Sequence, residues 1–121
     1  MYDIPGTEPA IRIKYRHIPT IWPIKVLRTQ DKKLLYCKTR KVSVDYFIIA
    51  MPEQWDGKTK AMIELKFVHS GKKRTILAKG IIKSPYLSHD KLFSATFAIH
   101  TIAAEDREML KNYVYDHESR M

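Results

Sequence analysis

Leu92-Phe-Ser-Ala-Thr-Phe-Ala-Ile99 carries its apolar side chains at every second position, Phe93, Ala95, Phe97 and Ile99. A period of two puts all four on one face of an extended chain, so this is a strand with one buried face. Immediately afterwards the period changes. Ile102, Met109, Leu110, Tyr113 and Val114 fall at helical spacing, with Glu105 and Asp106 in the first turn and Thr101 placed as an N-cap. Acidic side chains there complement the positive end of the helix dipole. The pattern predicts a helix from about Ala103 to Tyr115 lying against a β structure.

Working back from Leu92, apolar runs alternate with turn signals. Ser84 to Lys91, with Pro85, reads as a long loop, and Arg74 to Lys83 as a strand. Ser70-Gly-Lys-Lys73 is a tight turn after the strand Ala61-Met-Ile-Glu-Leu-Lys-Phe-Val68. Met51 to Lys60, broken by Pro52 and Gly57, is a loop, and Val44 to Ala50 and Leu34 to Val42 are strands. Thr29 to Lys33 is a polar turn, and Ile21-Trp-Pro-Ile-Lys-Val-Leu-Arg28 holds the first strand, with Pro23 near its start where a missing N–H is tolerated. Six short strands with polar turns predict a mainly β domain, an antiparallel barrel or sandwich. Trp22, Trp55 and the alternating phenylalanines belong to its core rather than to base-stacking platforms.

A chain of 121 residues, 45% hydrophobic and 29% charged, is one soluble domain able to bury a core. Its formal charge of +9 favours an anionic partner. Cys37 is the sole cysteine, which excludes an intrachain disulfide and a cysteine-rich zinc site; it reads as a buried strand thiol in a reducing compartment. The first residues lack an apolar signal core and no stretch is long enough to span a bilayer, so the expectation is a cytoplasmic protein without membrane insertion. The five histidines lack metal-ligand spacing, no glycine-rich phosphate loop is present, and neither Ser43 nor Cys37 has a base adjacent in sequence. The chain is therefore read as no enzyme, with no cofactor.

Asp3 to Pro9, with two prolines and a glycine, has little to bury and leads into Arg12-Ile-Lys-Tyr-Arg16. Residues 1–17 are thus read as a flexible basic arm and residues 18–121 as the folded domain. Two arginines four apart on such an arm can close over a phosphate or a purine, because the guanidinium fork pairs bidentately with both. Lys41-Val-Ser-Val-Asp-Tyr46 sits at a strand junction that can form the floor beneath it. Read alone, Ser43 is a turn residue that satisfies the local backbone.

An arginine arm, a strand, a second strand running into a turn centred on Ser43, four further strands and a C-terminal helix resembles a PilZ domain over roughly Arg12 to Tyr115. The family's arm motif RxxxR is matched by Arg12 and Arg16. Its second motif, [DN]xSxxG, is matched at Ser43, while Lys41 stands in place of Asp or Asn and Tyr46 in place of glycine. The resemblance implies a six-stranded antiparallel barrel with a C-terminal helix. It further implies a cytoplasmic bacterial signalling protein that binds cyclic-di-GMP and relays it to a protein effector of motility, pili or biofilm. Arg12 and Arg16 would meet guanine and phosphate, Lys14 would strengthen the field, Ser43 would fix the base, and Lys41 and Tyr46 would complete the ligand-binding set. The two departures remove an acceptor and add bulk. They keep open the alternative of a PilZ-like adaptor that binds no nucleotide and acts by protein contacts. Nucleic acid is disfavoured as a partner, since evenly placed exposed aromatics for stacking are missing.

Overall fold

The computed structural model describes residues 17–69, 71–88 and 90–119. The strands are β1 (Ile18–Pro19), β2 (Pro23–Arg28), β3 (Lys33–Val42), β4 (Tyr46–Met51), β5 (Thr59–His69), β6 (Lys72–Leu87) and β7 (Phe93–Ile102), and the helix α1 is Ala104–Ser119. All pairings are antiparallel. The order β3-β2-β5-β6-β7-β4 closes on itself through β3–β4, making a six-stranded barrel, with β1 added beside the end of β3. The predicted architecture is the observed one, and closure decides for the barrel over the sandwich.

Alternation builds the interior. Val26, Ile63, Ala78, Phe97 and Ile49 point inward from five strands and are almost wholly buried. Phe47 stacks on Phe97 with ring centroids 6.2 Å apart. Trp55, from the loop between β4 and β5, is buried in the same core and Arg28 lies over its ring at 4.9 Å. Cys37 packs against the core from β3, and burial pushes its thiol up to about 12, which keeps it protonated.

Gly80 is required by a close approach. A β-carbon there would stand 1.9 Å from the Ala98 carbonyl oxygen, at the point where the β6–β7 register shifts. Only a hydrogen fits.

Helix α1 buries Leu110, Tyr113 and Val114. Tyr113 meets Trp22 at 4.9 Å between ring centroids, and its hydroxyl lies 3.3 Å from that of Thr20. The acidic first turn does more than complement the dipole. Asp106, buried, accepts from Arg74 Nε at 2.7 Å, and Glu105 lies 3.1 Å from the same guanidinium, so the helix start is tied to β6. The segment between β1 and β2 is held by Thr39, whose hydroxyl accepts from Trp22 N–H at 2.8 Å and donates to the Thr20 carbonyl at 2.6 Å.

Boundaries differ from expectation at several places: a short β1 precedes the expected first strand, β5 begins at Thr59 within the expected loop, α1 runs on to Ser119, and two further differences have a clear cause. Thr101 is not the N-cap: it pairs with Lys79 in β7, and the first helical bond runs from Arg107 N–H to the Ala103 carbonyl. The ladder with β6 continues past Ile99 and takes the residues that local preference would give to a cap. Likewise β6 runs on to Leu87, through what reads as a loop, because Tyr86 and Leu87 pair with Ser94 and Phe93. Pro85 is accommodated in the register shift between Lys83 and Tyr86, where no ladder bond needs its missing N–H. Among the described residues no helix is long and apolar enough to cross a membrane.

Candidate functional site at the β3–β4 turn

Ser43 is fully buried and closes the turn between β3 and β4. Its N–H donates to the Tyr46 carbonyl at 2.9 Å. Its hydroxyl accepts from the N–H groups of Asp45 and Tyr46 at 3.2 and 3.1 Å and donates to the Tyr46 carbonyl at 3.1 Å. The hydroxyl's one proton and both lone pairs are thereby engaged. This serine builds the turn and has no capacity left to fix a base directly.

Tyr46 follows on the outer surface. Its hydroxyl lies 2.6 Å from His17 Nδ1, and the two rings meet edge to face at 5.8 Å. Burial, and then the nearby Asp45 carboxylate, raise the phenol above its ordinary value. Burial, and then the charge of Lys41, lower the His17 imidazole below its own. Lys41 is exposed at the end of β3 and faces Pro19 and Ile48 in register. Lys41, Tyr46 and His17 therefore form one cluster, and His17, the last residue of the expected arm, directly follows Arg16 in sequence. Arg12, Lys14 and Arg16 lie outside the described residues.

The registers extend this cluster into a floor. One outward row runs Lys41, Ile48, Thr96, Lys83 across β3, β4, β7 and β6; the next runs Tyr46, Ala98, Ile81, Lys60 across β4, β7, β6 and β5. Three strand spacings, about 14 Å, separate Lys41 from Lys83. Half-buried Ile48, Thr96, Ala98 and Ile81 make an even surface with ammonium groups at its edges.

Two contributors escaped the sequence reading. Asp45 pairs with Arg107 of α1 at 2.9 Å, and the same guanidinium nitrogen donates to the Val44 carbonyl at 3.2 Å. The helix thus braces the turn, and Val44, Asp45, Arg107, Lys111 and Tyr115 line a cavity of about 360 Å³ beside it. Arg107 stands 62 positions from Asp45, so no local pattern announces the pair. The signal for Asp45 was present, since it is the one carboxylate within the second motif. Among the described residues no group of three or more His, Cys, Asp or Glu is placed to hold a metal ion.

No protein-family model and no curated protein matches this sequence. Solved structures do match. The PilZ domain of CeSA from a cellulose-synthesizing bacterium superposes with a TM-score of 0.54 at 15% identity, over 85% of this chain and 98% of that one. This chain has a PilZ-type fold. The inhibitor of motility MotI/DgrA of Bacillus subtilis superposes with a TM-score of 0.78 at 10% identity, over 88% of this chain and 51% of that one. The chain therefore spans about half the length of MotI/DgrA.

Proposed function

We propose that the chain is a cytoplasmic regulator that binds cyclic-di-GMP between the basic arm and the floor at the β3–β4 turn, and passes the signal to a protein effector. The observation that carries this reading is the 2.6 Å contact between His17 and Tyr46, which joins the sequence-adjacent end of the arm to the floor of the second motif. Arg12 and Arg16 pair with guanine edges and phosphates, Lys14 adds field, Lys41 meets a phosphate, and the Tyr46 ring takes the place of a close backbone approach by stacking on a base. Ser43 acts indirectly, by fixing the turn that presents Tyr46. Motility is the favoured output, since the barrel matches the inhibitor MotI/DgrA.

The test is calorimetric titration of the full chain with cyclic-di-GMP. Binding that weakens by about 1.5–3 kcal/mol in Arg12→Ala or Arg16→Ala, the range for hydrogen bonds to charged groups, supports the reading. Equal affinity in wild type and both variants rejects the arm as the clamp.

One observation favours a second reading, a PilZ-type adaptor without nucleotide. By the resemblance Tyr46 stands in place of the family glycine, and its hydroxyl is already engaged by His17. Absence of heat at any cyclic-di-GMP concentration, in a protein that melts cooperatively, selects the adaptor.

A further inference from the structure

Outside the floor at Lys41 and Tyr46, an apolar patch runs across β3, β2, β5 and β6. In register, Leu34 faces Leu27, Leu27 faces Met62 and Met62 faces Lys79. The adjacent outward row runs Tyr36, Lys25, Glu64, Leu77. Tyr36 is 71% exposed, Leu77 53% and Leu34 44%. Leu27 and Met62, half-buried, join them into one strip about 14 Å wide. Apolar side chains this exposed and this contiguous mark an interaction surface.

Lysine surrounds the strip. Lys38, Lys66 and Lys79 are exposed, and no ion pair engages them among the described residues. These two rows have one carboxylate, Glu64, which lies 3.5 Å from Lys25 at the centre of the patch and beside a depression of about 170 Å³ lined also by Pro23, Tyr36 and Lys66. We infer that this face docks an acidic segment of another protein, with an apolar anchor seated on Leu34, Leu27 and Met62, flanked by Tyr36 and Leu77, and carboxylates on Lys38, Lys66 and Lys79.

Charge complementarity selects that occupant. A second copy of a chain carrying +9 would set lysine against lysine. Phosphate backbones and anionic lipid headgroups would meet Glu64 at the centre, where a uniform field of negative charge has no donor to offer, whereas a folded or helical segment can place an amide or hydroxyl there. Stacking on single-stranded nucleic acid needs several aromatic platforms, and Tyr36 is the one aromatic in these two rows. The inference is independent of nucleotide binding: the sensor and the adaptor both need a partner face, and this one shares no residue with the floor at Lys41 and Tyr46.

The test follows backbone amide shifts of the labelled full chain titrated with a blocked peptide about 12 residues long built on the repeat Glu-Glu-Leu, long enough to cross four strands. Shifts confined to Tyr36, Lys38, Lys66, Leu77 and their neighbours, and a Kd raised tenfold or more in the Tyr36→Ser, Leu77→Ser double variant, support the inference. Both side chains are exposed, and an unchanged melting temperature confirms that the variant keeps its fold. Three results overturn it: no shifts on this face, equal shifts from a random oligonucleotide or from phosphatidylglycerol vesicles at the same concentration, or shifts that follow protein concentration alone. A cyclic-di-GMP titration of the same sample reads Lys41 and Tyr46, so failure of one reading is separable from failure of the other.

Discussion

At the edge of the floor, burial and then the charge of Lys41 lower the His17 imidazole below its ordinary value. A histidine whose folded pKa lies below its unfolded value of 6.5 contributes stability that is complete above that pH. That contribution is lost as the pH falls toward the folded value. An NMR titration of His17 in the free protein is expected to give a midpoint below 6.5, with thermal stability declining on acidification through that window. Lys41→Asp replaces a repelling charge by an attracting one and moves the midpoint upward; an unmoved midpoint would show that burial alone holds it. The same substitution restores the family's acceptor. Combined with Tyr46→Gly it also clears the floor, at the expense of the His17 hydrogen bond, about 1 kcal/mol, and of roughly 0.5–1 kcal/mol for glycine in a strand. The double variant is expected to melt lower than wild type and to bind cyclic-di-GMP tenfold or more weakly, because it loses the phosphate contact of Lys41 and the stacking ring of Tyr46. Tighter binding by the double variant would show instead that Lys41 and Tyr46 obstruct the site.

At the scale of the element, two substitutions probe how the barrel and its helix are joined. Gly80→Ala drives a methyl group into the Ala98 carbonyl, a contact that only backbone movement relieves, so a loss of ~3 kcal/mol or more is expected from denaturant unfolding. Leu110→Ala leaves a cavity beneath α1 where the side chain is now fully buried, with an expected loss of about 2–5 kcal/mol. A loss below about 1 kcal/mol would mean that α1 is not docked as described. Strand and helix types were legible because their faces are uniform: Phe93, Ala95, Phe97 and Ile99 declare a strand with no help from neighbours. The ends were less so. Thr101 and Tyr86 are kept in strands by partners on β6 and β7, information that lies a full hairpin away. The site divides along the same line. The turn at Ser43 was legible as a local motif, whereas the pairing of Asp45 with Arg107 is created by the docking of the helix, and the arm at Arg12 to Arg16 falls outside the described residues.

The whole molecule carries +9, and that excess acts in opposite directions on folding and on binding. Like charges repel one another in the compact state, so added salt relieves a destabilising field. The ion pairs that salt also weakens are mostly exposed, such as Lys33 with Glu53 at 2.8 Å, and exposed pairs contribute at most about 1 kcal/mol each. Asp31 is held down at about 2, first by its hydrogen bond from Arg28, yet the carboxylate stands in solvent and adds little. Repulsion should therefore outweigh attraction, and the melting temperature should rise between low salt and about 0.5 M sodium chloride. Anion binding at the floor depends on Lys41 and on the arm, whose charges act over a screening length of roughly 10 Å at 0.1 M and shorter above it. Affinity for cyclic-di-GMP should thus fall over the same interval in which the fold gains stability. Thermal scans and titrations at the same series of salt concentrations measure both slopes. Slopes of the same sign would mean that the ion pairs, and not the unpaired lysines, dominate the field of this barrel.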